Sequence, residues 1–550
     1  MRFIKTILTI LVIIVVIVIV IFAVGLWNLK KETYYSAGRI YQNFNYAASA
    51  LNNLETNKAS GSLLLVKKEL NKVSGDFSKW SRLLPPLKKF KDKIFQVNQI
   101  TNASLDLTNQ VEFLKINGLQ LIIQKKGAVL VEKLKNIQKD LAVIAPAADD
   151  EKLYTAQNML TALLVWLDDN QPKHLAILFQ NSSEIRPAGG FIGSFADVTL
   201  EKGGLANLEV QDIYDVDGQL TVKVEAPEPL QKVTKYWGAR DANWFFDFST
   251  SARKVIEFLG LSKTYQEREI KFSGAIGINY KVIEDLLRVI GPIKVNDFTL
   301  DADNFLFEVQ KDVETNQNKD ILKNFTPLIF EKLNQFSEKE KKDLLEIFKY
   351  RLANKDIMIY IDQPLLENYL VGLGAAGEQY AAPQSVSGGF VGDYLAVVNA
   401  NIGGGKTDAF IEQKIELVSR LSRQEAKNLL TIERKNNGDQ REEKWYNTVN
   451  RNYLQVFITE PDPLIANWFD AGPGKKSGLQ SSYLTKFSQR LEAGSSYTFI
   501  FDKQSGVESN LKIILAAPTG MKWQETGTDI FKYKTFNPPA RVKIELHLVQ

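Results

Sequence analysis

QNSSEIRPAGGFIGS, residues 180–194, lies between an apolar run at 175–179 and a strand-like stretch at 195–200. It gathers Glu184, Arg186, amide and hydroxyl side chains and three glycines, Gly189, Gly190 and Gly193, in one turn. A polar, glycine-rich loop directly after a buried strand is where folds present binding groups. Two readings fit these residues. In the first, Gly189 and Gly190 let backbone amides approach an anion, and Arg186 supplies a bidentate contact to phosphate with Glu184 as polar support. In the second, Arg186 pairs with Glu184 and the glycines accommodate positive φ in a structural turn. The spacing GGFIG, with a strand after it, is not a dinucleotide fingerprint.

Outward from this loop, helices and strands alternate from about residue 173 to residue 380. Lys202-Gly203-Gly204 joins two strand-like runs as a β-hairpin. Residues 275–278 read as a buried strand, after which Asn279 caps a helix with Ile283, Leu286, Leu287 and Ile290 on one face, ended by Gly291-Pro292. Such alternation predicts an α/β domain at 171–410. Beyond it, short alternating runs separated by Gly, Pro, Asn and Asp predict a β-sandwich at 411–550. Ahead of it, Leu63, Val66, Leu70, Val73, Phe77, Trp80 and Leu84 recur at helical spacing until Pro85-Pro86, and residues 30–170 read as a helical stalk or bundle.

Residues 7–27, ILTILVIIVVIVIVIFAVGLW, are long enough to cross a bilayer core as a helix of about 20 residues. The run exceeds the roughly 7–15 apolar residues of a signal peptide, so residues 1–29 are read as an uncleaved transmembrane anchor. The flanking charges, Arg2 and Lys5 against Lys30, Lys31 and Arg39, do not decide its orientation. The fold class expected is therefore multidomain α+β: transmembrane helix, helical stalk or bundle, central α/β domain and C-terminal β-sandwich.

A net charge of +4 over 550 residues argues against nucleic acid as principal partner. There is no cysteine, which excludes disulfides and thiolate metal sites. The two histidines, His174 and His547, both sit in strand-like runs, so a Ser-His-Asp triad or a polyhistidine zinc site has no residues to build it. Catalytic residues stay unassigned; chemistry would have to run on Asp, Glu, Arg, Lys, Ser or Tyr.

Two further motifs are polar. GARDANWFFDF, residues 238–248, offers Arg240 as a second phosphate ligand and Asn243 as polar support. Its Asp241 and Asp247 have a spacing compatible with Mg²⁺, while Asp247 equally suits a helix cap and Arg240 equally suits pairing with Asp241. NANIGGGKTD, residues 399–408, lacks the first glycine of a P-loop and precedes a strand, so it reads as a turn presenting Lys406 and Asp408.

Together, NSSEIRPAGGFIGSF, ARDANWFFDFSTSA, GAIGINYKVIEDLLRVIGPIKV and VVNANIGGGKTDAF resemble the uncharacterised bacterial domain-of-unknown-function family numbered 4012, over about residues 175–410. The resemblance implies a single-pass protein of the cell membrane with an extracytoplasmic body. Residues 277–295, a strand, a helix and then Gly-Pro-Ile-Lys-Val, are similar to a segment of the LytR-CpsA-Psr family of cell-wall glycopolymer ligases, and Arg186 falls near that family's early arginine. This second resemblance implies transfer of a glycan phosphate from a polyprenyl-pyrophosphate carrier, with arginines and Asp-bound Mg²⁺ at the diphosphate. Where that family carries a later arginine-rich segment, this chain has FLFEVQK at 305–311 and no arginine from 312 to 323. Lysine does not reproduce a guanidinium fork. The expectation is an envelope protein that binds or transfers a phosphate-linked glycan or lipid-linked anionic substrate, with Mg²⁺ the candidate cofactor. The partners expected are the membrane and a cell-wall glycan or polyprenyl-linked phosphate. A non-catalytic envelope scaffold or adhesion protein is the alternative.

Overall fold

A computed structural model describes residues 2–82, 88–148, 150–296, 298–316, 320–380, 391–459 and 463–550. The chain divides into two compact units, residues 1–122 with 126–169, and residues 123–125 with 170–550.

The first unit is helical. Its second helix, Thr56–Trp80, buries the predicted stripe Leu63, Val66, Leu70, Val73 and Phe77. Leu63 packs with Ala47 and Ala50 of the preceding helix, Arg2–Asn52, where small side chains let the two axes approach. Asp150 caps the last helix, Glu151–Leu167, by accepting from the Lys152 amide at 2.8 Å.

The N-terminal membrane span is corrected here: among the described residues no helix is long and apolar enough to cross a membrane. With it falls the localisation as a single-pass membrane protein. The apolar run belongs to a helix that continues to Asn52 as an amphipathic element. Its described part carries Lys30, Lys31, Glu32 and Arg39, and pairs across to the next helix through Arg39–Glu69 at 2.8 Å and Glu32–Lys72 at 2.6 Å. The side chains of most of residues 2–22 lie outside the described residues.

The second unit is mixed α/β with several sheets. A five-stranded sheet has the order Gly204–Asp212, Phe191–Glu201, Lys173–Asn181, Phe272–Asn279, Ile357–Ile361. Lys173–Asn181 and Phe272–Asn279 run parallel and the other neighbours antiparallel. Alternation along the first strand decides what covers each face. Ala176 and Leu178 pack into a core with Val255 and Phe258 of the helix Phe248–Gly260. Ile177 and Phe179 point to the other face, covered by the helices Tyr280–Ile290, Phe305–Asn316 and Asp320–Asn334. Asn279 caps the first of these, accepting from the Lys281 amide at 3.1 Å.

Two further sheets face each other across a core that includes Leu395, Leu417, Phe499, Ile513 and Trp523. The six-stranded one has Gly392–Asn401 between Asn452–Phe457 and Ser496–Asp502. That strand buries both faces: Leu395 and Val397 enter the inter-sheet core, whereas Tyr394, Ala396 and Val398 pack with Phe246 beside the five-stranded sheet.

Asp393 of this strand is fully buried and accepts from the Tyr394 amide at 2.8 Å, Asn428 Nδ2 at 2.7 Å and Thr485 Oγ1 at 2.9 Å. Burial nevertheless pushes its carboxyl up to about 6. A carboxyl raised by folding stabilises below its unfolded value and loses that contribution as pH rises through its folded one. The stability of Asp393→Asn relative to the parent should therefore rise by about 2–3 kcal/mol between acidic and neutral pH. Urea unfolding at stepped pH measures it; a pH-independent difference would contradict the titration.

Candidate functional site

The loop at 180–194 begins where the first strand stops. Asn181 Oδ1 accepts from the Ser183 amide at 3.2 Å and the Asn181 carbonyl from the Glu184 amide at 3.2 Å, which folds the chain into a turn. Gly189 has φ +117, and a Cβ there would lie 2.6 Å from Ser505 Oγ and 2.7 Å from Gln180 Oε1. Gly190 has φ +156, and its Cβ would lie 2.6 Å from the Asn181 backbone. Both glycines serve close packing of backbone on protein.

Arg186 turns inward, and its side chain is only 3% exposed. Its Nη2 donates to Asp241 Oδ1 at 3.0 Å and to Glu184 Oε1 at 3.2 Å. Its Nη1 donates to the carbonyls of Asn401 and Ile185. The guanidinium also lies 5.1 Å from the centroid of the Phe191 ring. Burial alone would lower the Arg186 pKa, but Glu184 and Asp241 together hold it above its ordinary value. Burial likewise pushes the Glu184 carboxyl up, against the pull of Arg186 and Lys406.

Asp241 continues the network, for its Oδ2 accepts from Arg240 Nε at 3.2 Å. Arg240 lies 3.8 Å from Asp217, and its guanidinium sits over Tyr214 at 5.1 Å. Asn243 donates to the Gly190 carbonyl at 2.7 Å. Asp408 accepts from the Ile185 amide at 3.3 Å, Asn401 Nδ2 at 2.7 Å and Arg434 Nη2 at 2.8 Å. Three motifs far apart in sequence thus converge on Arg186. Of the residues singled out, Glu184, Arg186, Gly189, Gly190, Arg240, Asp241 and Asn243 share this knot.

Asp247 stands apart as a helix cap, its Oδ1 accepting from the Thr250 amide at 2.8 Å and Thr250 Oγ1 at 2.7 Å, its Oδ2 from the Gln379 amide at 3.2 Å. Asp241 has both oxygens on arginines. The pair does not fit Mg²⁺, which needs carboxylate oxygens free to coordinate. Among the described residues no group of three His, Cys, Asp or Glu is placed to hold a metal.

Lys406 is bonded to Glu314 and stands at the edge of a feature that sequence reasoning missed. Between the sheet face bearing Ile177 and Phe179 and the three helices above it lies a cavity of about 390 Å³. Ile283 and Leu286 of one helix and Val309, Phe325 and Ile329 of the others line it. Its charged lining residues are Glu184, Asp312, Glu314 and Lys406. Gln310 holds the helix Phe305–Asn316 in place, donating to Asn181 Oδ1 at 3.0 Å and Ser183 Oγ at 2.9 Å and accepting from Tyr446 Oη at 2.6 Å. In sequence these lining residues carry the same apolar periodicity as filled core, so nothing in the pattern set them apart.

Arg186→Ala would leave Glu184 without its hydrogen-bonded cation and the buried Asp241 with Arg240 alone, and should lower stability to urea by about 3–5 kcal/mol. Adding Asp241→Asn should recover part of the loss, making the pair non-additive by about 0.5–3 kcal/mol. A double variant whose loss equals the sum of the single losses would show the two groups to be uncoupled.

No curated protein and no solved structure matches the chain. Residues 170–313 match the family described as a protein of unknown function, DUF4012; this segment holds the Arg186 and Asp241 motifs and ends short of the Asn401 loop.

Proposed function

We propose that the α/β part of the second unit is a binding module for a lipid-linked substrate, holding the apolar chain in the cavity under the three helices and the polar head beside Lys406. The observation that carries this reading is the cavity itself. Its volume of about 390 Å³ falls within the roughly 300–1,000 Å³ of small-molecule sites, and its walls are mainly apolar with a few polar groups grouped together. A mainly apolar lining of this size favours an apolar guest. Lys406 is the one cation among the described lining residues and is paired with Glu314, so an anionic head group would displace that carboxylate to meet it. The likeness of residues 277–295 to the LytR-CpsA-Psr ligases supports the same class of substrate, since the strand and helix concerned bring Ile278, Ile283 and Leu286 to the cavity.

Binding is favoured over transfer. Arg186 and Arg240, the phosphate ligands expected from sequence, both face carboxylates inside the protein, and Asp241 and Asp247 already accept hydrogen bonds from other groups. Those contacts favour a scaffolding role for the Arg186 motif within the binding module.

Titration of the full chain with a fluorescent long-chain fatty acid, and with a short polyprenyl phosphate in competition, should give saturable binding at one site. Val313→Trp, which places an indole inside the cavity, should abolish binding while leaving the melting temperature near that of the parent. Absence of saturable binding of both probes, or undiminished binding by Val313→Trp, would overturn the assignment.

A further inference from the structure

A second cavity, of about 250 Å³, is polar and shares no lining residue with the first. It sits on another face of the helix Tyr280–Ile290, whose Lys281, Glu284 and Arg288 contribute to it at helical spacing. Arg351 comes from the helix Glu338–Ala353, and Lys503 and Glu508 come from the loop after the strand Ser496–Asp502.

Most of these charges are matched. Arg351 bonds Asp285 at 2.7 Å and Asp356 at 2.8 Å, Arg288 bonds Asp285 at 2.6 Å, and Lys281 bonds Glu508. Lys503 is different. It is 5% exposed, its Nζ donates to the neutral carbonyl of the Asn537 side chain, and it forms no salt bridge among the described residues. Asn537 is held at φ 47, a conformation asparagine tolerates better than most residues. The Lys503 ammonium bonds only this neutral acceptor, and the carboxylates Asp356 and Glu508 that share the cavity are already bonded to Arg351 and Lys281, so among the described residues it has no counter-charge in direct contact to offset its desolvation.

We propose that this cavity binds a phosphate-like oxyanion, with Lys503 as the cation that pairs with it and Lys281 and Arg351 beside it. The site is independent of the lipid cavity. Burial lowers Lys503 to about 8, with Lys281 and Arg351 pushing the same way and Asp356 and Glu508 opposing them. The other charged or titratable groups lining the cavity are Glu284, Arg288 and Tyr350. A bound oxyanion requires the protonated lysine, so its affinity falls as pH rises through that value.

Isothermal titration of the full chain with sulfate at fixed ionic strength tests this, because sulfate keeps its charge across the range. The parent should take up one sulfate per chain saturably, and more weakly at about pH 9 than at about pH 7. Lys503→Met should weaken uptake by about 10- to 100-fold. A melting curve checks that the variant is folded, and Lys503→Gln serves if it is not. No saturable uptake by the parent, affinity unchanged between the two pH values, or parent-like uptake by the folded variant would each overturn the proposal.

Discussion

The buried guanidinium of Arg186 is the constraint on which the second unit depends. One side chain makes hydrogen bonds to its own loop at Glu184 and Ile185, to the following motif at Asp241, and to the strand end at Asn401. These acceptors belong to segments more than 200 residues apart, so the α/β sheet and the six-stranded sheet meet at one ion. Around it the backbones lock further: Asn401 donates to the Ile185 carbonyl at 2.9 Å, Asp408 to the Ser183 carbonyl at 3.0 Å, and Gln504 Nε2 to the Arg186 carbonyl at 3.0 Å. Lys355 and Asp502, paired at 2.8 Å and both buried, make a second such tie.

Buried ion networks are a poor source of net stability, because desolvation of each charge opposes the Coulombic gain. What they supply here is selectivity among arrangements. Any packing of the two sheets that separates Arg186 from Asp241 leaves a buried charge alone, which costs far more than a misplaced apolar contact. The same logic explains why this polar, glycine-rich loop is not open to a ligand. Its glycines bring backbone against Ser505 and Asn181, and both terminal nitrogens of its arginine already donate to protein acceptors. Ligand-sized space opens on both sides of the knot instead. An apolar cavity lies beneath the helices that Gln310 and Lys406 hold down, and a polar one lies around Lys503.

Local chemistry was legible in the sequence where neighbours decide it. The Asn279 cap, the hairpin at Lys202 and Gly203, with φ of 48 and 77, and the buried stripe from Leu63 to Phe77 all follow from short-range pattern. Asp247 was open between cap and metal ligand, and its hydrogen bonds to Thr250 and Gln379 decide for the cap. The partners of Arg186 were not legible beyond Glu184, since Asp241 and Asn401 reach it only through tertiary folding. The cavity was hidden for a different reason: Ile177, Phe179 and Phe325 have the pattern of any core residue, and periodicity does not distinguish a filled space from an empty one. The apolar run at 7–27 has the length and composition of a membrane span, whereas the helix containing it continues to Asn52 as a charged, packed element.

The most direct test of the Arg186 knot is native-state hydrogen exchange of the amides of Ile185, Asn401 and Asp408, in the parent and in Arg186→Ala. If one guanidinium ties the loops together, protection at all three amides falls together in the variant, while strand amides flanking the core between the two facing sheets, such as Leu417 and Ile513, keep theirs. Loss confined to Ile185, with Asn401 and Asp408 unchanged, would contradict the account.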